Sequence, residues 1–522
     1  MTPVLAGSSL KALQVEMRLT GDADGETVLV IPSGKSARQG DPYETFSDLT
    51  VKGATVTATE RNVRSLKHKP RAPLVVSYRV TQKSEIRMNT VVQPNFFSAN
   101  GRRLFLWVDG REDFRFRFRW GAVPAGWTVA SDLEHNGGSG VGERGLYDST
   151  LIGGTNLVVR ELKLGTGRFR MALPDDLGLD ANALADLVTR SGRAANEVWE
   201  DGSQQYLVTV TPVILPGAKV YAGLGLTDAY AMFLTRDPDP VMLKSTIAHE
   251  YLHTWIGKRF GTSAPGWFTE GFTDYYAAMV NLRAGTFSPA DYAEVWNGAL
   301  LEYASSPLRT ATNAKIEALR SEDEPLAVKM DYLRGSMIAA LFDYRIRSAS
   351  HGKLNLTDVM RAVKRDFDAG AKKGDAAGRL VAKARTLAGV DLQPDIDRYL
   401  TAGEALILPA DLLGGCGGVE TVPVARFDRG FEPVPPGKAI EKVDPASRAF
   451  KAGLRAGMVF VDRTAGKPGD SRVEMVLRVR DGNAERLIRY MPASDEILAV
   501  QQVRVVEPLA GACTRILSGL AA

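Results

Sequence analysis

The chain has 522 residues, enough for about three domains at roughly 150 residues each. Its 44% hydrophobic and 24% charged residues are the mix of an ordinary globular protein, which excludes a disordered or collagen-like chain. A net charge of +4, from 65 basic against 61 acidic groups and with no long Lys/Arg block, gives no case for a nucleic-acid protein, and no apolar run nears the roughly 18 residues that span a bilayer.

The opening Met1-Thr2-Pro3-Val4-Leu5-Ala6 lacks the positive and apolar regions of a signal peptide. Compartment therefore stays open, with export slightly favoured if a leader has been removed. From about residue 12 to 170 the apolar pattern has period two, which predicts half-buried strands over Thr27–Ile31, Leu74–Val80 and Leu104–Val108. The basic stretch Arg61–Arg71 reads as a solvated loop. In Phe114-Arg115-Phe116-Arg117-Phe118-Arg119-Trp120 the aromatics face one side and the arginines the other, as in a sheet with one wet face. Turn residues between these runs predict a β-sandwich.

Gly140-Val141-Gly142-Glu143-Arg144-Gly145 matches G-x-G-x-x-G, but a dinucleotide site needs a strand before it and a helix after it. A glycine-rich loop precedes it and the strand-like Tyr147–Gly153 follows, so the cofactor reading is rejected. From about 176 to 405 the period becomes helical, with helices expected over Asn182–Glu200, Pro240–Lys258, Trp267–Leu282, Asp331–Ser348 and Leu356–Phe367. A strand is expected over Tyr206–Ile214. Gly414-Gly415-Cys416-Gly417-Gly418 reads as a hinge, after which short strands return. The two cysteines, Cys416 and Cys513, are too few for a disulfide framework or a four-cysteine zinc site, and whether they pair is left open.

His249-Glu250-Tyr251-Leu252-His253 is H-E-x-x-H in a chain with five histidines, a coincidence on the order of half a per cent by composition. Residues four apart share a helix face, so both imidazoles can bind one ion while Glu250 stands toward its open side. Asp239-Pro240 is a good helix start. A catalytic zinc needs a third protein ligand, and Glu270 offers it after a short loop, Gly261–Gly266, that can fold a second helix back on the first. Asp274, one turn after Glu270, can accept a hydrogen bond from the distal nitrogen of a ligand histidine.

H-E-x-x-H followed by Glu270-Gly271-Phe272-Thr273-Asp274 resembles the gluzincin zinc metallopeptidases, and the finer text resembles the glycyl aminopeptidase family. Tyr332-Leu333-Arg334-Gly335 is similar to the family's Tyr-x-Lys-Gly element, which implies that Tyr332 donates to the oxyanion of the tetrahedral intermediate. Val443 to Gly457 resembles the core of bacterial PDZ domains, with Met458 where Asp is usual and Arg429-Gly430-Phe431 as the nearest carboxylate loop. The resemblance implies a multidomain α+β chain. Its parts are an N-terminal β-sandwich over 1–175, a mainly helical thermolysin-like (gluzincin) catalytic domain over 176–412 and a C-terminal PDZ-like domain over 413–522.

One departure stands out. The family carries a Gly-Leu-Glu-His-like element before the zinc helix, and its glutamate helps hold the substrate's amino terminus. Here the text is Gly223-Leu224-Gly225-Leu226, so Gly223, Leu224 and Gly225 are the implied substrate strand without that carboxylate. Losing a charge-assisted hydrogen bond to an ammonium costs roughly 1.5–3 kcal/mol.

The expected function is peptide-bond hydrolysis with one Zn2+ per chain, held by His249, His253 and Glu270, with Glu250 as general base and then general acid. The implied partners are a peptide or protein substrate and a C-terminal peptide ligand of the PDZ-like part. Two alternatives stand beside aminopeptidase action: endopeptidase action, because Gly225 replaces the amine anchor, and a non-catalytic zinc/PDZ scaffold.

Overall fold

The period-two segments form sheets because their buried residues alternate with wet ones. In Ser9–Thr20, for instance, Leu10, Leu13 and Val15 are buried while Lys11 and Glu16 are exposed. The structure, a computed structural model, describes residues 1–34, 40–82, 90–165, 167–202, 205–213, 219–261, 264–371, 375–506 and 511–517. The chain divides into two units, one of Met1–Val213 with Val220–Pro238 and a second built chiefly from Asp239 onward.

In the first unit two four-stranded antiparallel sheets lead the chain. One has the order Thr2–Ala6, Ser9–Thr20, Pro73–Val80, Phe46–Lys52, and the other Trp107–Val108, Glu26–Val30, Val63–Lys67, Thr55–Ala58. Leu13, Val15, Val76 and Tyr78 from the first meet Leu29 and Leu66 from the second in one core. The expected strand Leu104–Val108 is corrected. Asn100 caps a helical turn, Gly101–Leu104, accepting from the Arg103 N–H at 3.1 Å, and only Trp107–Val108 pairs. Arg61–Arg71 is likewise no plain loop, since Val63–Lys67 is a paired strand. The G-x-G-x-x-G text itself makes a strand, Ser139–Val141, and a short helix, Gly142–Tyr147, and the strand expected after it begins at Thr150 rather than Tyr147.

A five-stranded sheet completes this unit, in the order Leu157–Leu162, Arg168–Pro174, Gln205–Pro212, Ala229–Leu234, Tyr221–Gly225. Its middle pairings are parallel and both outer ones antiparallel. Ala229–Leu234 is buried at every position and so shows no alternation to read in sequence. Of the expected strand Tyr206–Ile214, residues up to Pro212 pair, and Ile214 lies outside the described residues.

The second unit is helical up to about residue 400. Among the described residues, Pro289–Ser305, Asn313–Ser321, Ala376–Ala388 and the short Gln393–Ile396, not delimited from the sequence, join the expected helices. Past Gly417 the chain returns to strands. The ribbon Gly417–Phe427 with Ala493–Val505 is fastened to the helices by side-chain amides. Asn297 exchanges two hydrogen bonds with the backbone of Val503, and Gln501 two with that of Leu408. A three-stranded meander, Val459–Ala465, Met475–Asp481 and Ala484–Tyr490, closes over Ile440, Leu454, Leu477 and Ile488. The glycine run expected as a hinge is tied down, because Cys416 is disulfide-bonded to Cys513.

Candidate metal centre

Three helices of the second unit build the site. The histidine helix, Pro240–Leu252, starts as its sequence predicts: Asp239 Oδ1 accepts from the N–H groups of Val241 (3.0 Å) and Met242 (3.1 Å), and Pro240 fills the first helical position. It stops earlier than expected. Thr254–Arg259 forms a π-type turn in which Ile256 (φ −78°, ψ 109°) and Gly257 (φ 101°) leave helical geometry. Only glycine takes that positive φ without strain. The turn aims the Ile256 carbonyl at His253, whose Nδ1–H donates to it at 3.0 Å.

The glutamate helix, Gly266–Arg283, lies against the histidine helix, where buried Asn281 donates to the Lys244 carbonyl at 3.1 Å. Residues 262 and 263 of the connecting loop lie outside the described residues. Glu270 Oε2 stands 3.4 Å from His249 Nε2 and 3.5 Å from His253 Nε2. Asp274, one turn on, accepts from His249 Nδ1 at 2.8 Å.

Both Nδ1 atoms face acceptors that cannot donate, so each carries a ring proton, which leaves Nε2, the atom nearest Glu270, as the one a metal can take. The ligand atoms of His249, His253 and Glu270 all lie within 4.8 Å of one another. Two imidazole nitrogens and one carboxylate, oriented by outer hydrogen bonds, are a donor set that fits zinc.

The electrostatics follow from crowding. Burial alone lowers the His249 pKa, but hydrogen bonds to Asp274 and Glu270 outweigh it and hold the imidazole well above its usual value. Burial raises Glu270, yet the two histidines hold it well below the carboxylate range. Glu250, buried beside them, is raised by loss of solvent, with both histidines opposing.

The tyrosine helix, Pro325–Ala349, begins six residues before its expected start, so Tyr332 sits two turns inside it. Its ring stacks on that of His249, centroids 5.8 Å apart at 23°. Burial, together with Glu270, Asp274 and Glu250, holds the phenol well above its usual pKa, so it stays a donor. Arg334, in the family's lysine position, is buried and donates to the carbonyls of Ala311 and Tyr399, a scaffold role.

Sequence reasoning missed Asp331. Its side chain is 4% exposed and lies 3.5 Å from Arg320. A Cβ on Gly266 would collide with it, which places it at the start of the glutamate helix. Burial pushes its carboxyl up to about 6, against the pull of Arg320. The π-type turn was missed too, for Gly257 was its one trace in sequence.

Gly223, Leu224 and Gly225 lie on the edge strand of the first unit's five-stranded sheet, paired with Met232, Ala231 and Tyr230. All three are half-buried.

Residues 242–321 match the M61 glycyl aminopeptidase family. No curated protein matches the chain. Among solved structures, an aminopeptidase N family protein from Idiomarina loihiensis is similar over 100% of this chain and 99% of its own, at 16% identity and a TM-score of 0.74. An M1 zinc metallopeptidase from Deinococcus radiodurans is similar over 76% of this chain and 92% of its own, at 18% identity and a TM-score of 0.49. The first of these likenesses is one of fold: an N-terminal β-rich region followed by a helical domain. The chain is a metallopeptidase whose histidine and glutamate helices match the M61 glycyl aminopeptidase family.

Proposed function

We propose that the chain is a zinc-dependent peptide hydrolase of the aminopeptidase type, with His249, His253 and Glu270 holding one zinc ion. The observation that carries this reading is the convergence of three ligand atoms within 4.8 Å, with Glu250 buried beside them. Bound there, zinc supplies Lewis acidity and lowers the pKa of a water to about 7. Glu250 takes the proton of the attacking water and passes it to the leaving amine. Its raised pKa suits that return step. Tyr332 donates to the oxyanion as charge develops on the substrate carbonyl. Asp274 and the Ile256 carbonyl hold the two imidazoles in the tautomer that keeps Nε2 free.

A second reading, endopeptidase action on the same frame, is favoured by Gly225, which leaves the implied substrate strand without a carboxylate for a free amino terminus. We further propose a three-part division at 175/176 and 412/413, with a PDZ-like last part taking peptide C-termini. The Cys416–Cys513 bond favours an oxidising, exported location. The direct test of the mechanism is Glu250→Gln, which keeps the metal content of the parent and loses nearly all peptide hydrolysis. Unchanged turnover would exclude Glu250 as the base.

A further inference from the structure

The alternating Phe-Arg strand of the first unit has no part in the metal chemistry. Arg115–Arg117 pairs with Ser139–Val141 alone, in a two-stranded antiparallel sheet. Phe116 lies over Gly140, where a Cβ would overlap its ring, and Phe118 is buried, so the aromatic face fixes the strand to the core. The other face is wet. Arg115, Arg117 and Arg119 are all exposed, and none has an ion-pair partner among the described residues. Across the ladder, Val141 stands opposite Arg115 and is 60% exposed, and exposed Ser139 stands opposite Arg117. The outer face therefore carries arginines on alternate residues, a backbone step of about 6.8 Å, beside a bare valine.

The backbone adds an independent observation. Gly142 N–H donates to the Phe114 carbonyl at 2.6 Å, and Phe118 N–H to the Gly138 carbonyl at 2.7 Å. The phenylalanine positions thus bond across to the partner strand, and in an antiparallel ladder the alternate positions turn their N–H and C=O groups the other way. At Arg119 that outer edge is already used. Its carbonyl accepts from the Met1 ammonium at 2.9 Å, and Gly121 N–H donates to the Met1 carbonyl at 2.7 Å. At Arg115 and Arg117 the edge has no strand beside it among the described residues.

We propose that this edge docks an extended polypeptide carrying acidic side chains at alternate positions, added as a strand along Arg115 and Arg117. Main-chain hydrogen bonds supply the pairing, and the guanidiniums read carboxylates on the same face. The side chains between the acids point to the other face of the sheet, the side of Phe114 and Phe116. Arginines on an edge also keep copies of the chain from pairing with one another. The charge that repels a second copy is the charge that attracts an acidic strand.

The test is fluorescence anisotropy with the zinc-loaded full chain carrying Glu250→Gln, so that the probe is not cut. The probe is a labelled, acetylated and amidated octapeptide of alternating Glu and Val. Saturable binding is expected, weakened by at least about tenfold in Arg115→Glu with Arg117→Glu. A similar loss is expected when alternate backbone amides of the probe are N-methylated. If the Glu variant melts early, Arg115→Gln with Arg117→Gln is read in its place. Absence of saturable binding, equal binding by a Lys–Val peptide, or indifference to N-methylation overturns the proposal.

Discussion

Gly271 and Gly335 touch backbone to backbone where the glutamate and tyrosine helices cross. A Cβ on Gly271 would collide with the Cα and carbonyl carbon of Gly335, and one on Gly335 would meet the Trp267 carbonyl. Each glycine neighbours the chemistry: Gly271 follows Glu270, and Gly335 lies one turn after Tyr332. The close approach of the two helices stands beside the stacking of the Tyr332 ring on His249. Gly271→Ala or Gly335→Ala therefore spreads the two helices. Overpacking of this kind costs about 1–3 kcal/mol. Urea melts should show that loss, and the activity per folded molecule should fall further than the stability does.

Tyr332→Phe removes one oxyanion donor and leaves the three ligand atoms in place. Loss of such a donor lowers kcat by about 10²–10³-fold. Metal content should equal that of the parent, and KM should change little. A variant with full kcat would remove Tyr332 from the mechanism.

Asp274→Ala frees the His249 Nδ1–H and lets the ring turn. Outer-sphere losses of this kind weaken metal binding by about 10–100-fold. Competition with a chromophoric chelator measures it, and unchanged affinity would mean that helix packing alone orients His249.

Asp132, in the first unit, tests the reading of burial. Loss of solvent pushes its carboxyl up to about 8, although the Thr150 N–H donates to it. Below about pH 4 the folded and unfolded chains both hold this proton. Between there and pH 8 only the folded chain does, so the contribution to stability falls as pH rises through that window. His135 works the other way: burial lowers its imidazole to about 4, and its contribution is lost as pH falls from the usual histidine range toward 4. Asp132→Asn should therefore raise Tm relative to the parent more at pH 8 than at pH 5. Parallel shifts at the two values would contradict a buried, protonated Asp132.

The Cys416–Cys513 bridge spans 97 residues of sequence and secures the Gly511–Leu517 helix. Closing a loop of that length stabilises by about 2–5 kcal/mol. Cys416→Ser should lower the urea midpoint accordingly, and reductant should do the same to the parent but not to the variant.

Legibility from sequence tracked how local the causes are. His249, Glu250, His253, Glu270 and Asp274 could be named because one helical spacing and one short loop bring them together. Helix starts at Pro240 and Gly266 were legible to within a residue. What failed depended on distant atoms. The histidine helix was extended to Lys258 because the turn at Ile256 and Gly257 keeps an apolar, helix-like text while its φ and ψ depart. Leu104–Val108 was read as one strand because Leu104, Phe105 and Leu106 are all buried, so apolar character there carries no period. Asp331 has no sequence signal, since an acid near a helix start is ordinary and only the fold sets it against Gly266. The cysteines could be paired only once strand and helix had brought residues 416 and 513 together.

The most direct test of the account is mass spectrometry of products from matched peptides, free at the amino terminus or acetylated, using zinc-loaded chain with Glu250→Gln as the blank. The account predicts that free-amine peptides shorten from the amino terminus, one residue at a time, and that the blank is silent. Internal cuts in acetylated peptides would instead assign the second reading, an endopeptidase with Gly225 in place of the amine anchor. A chain that carries zinc and cuts neither set would contradict the central claim.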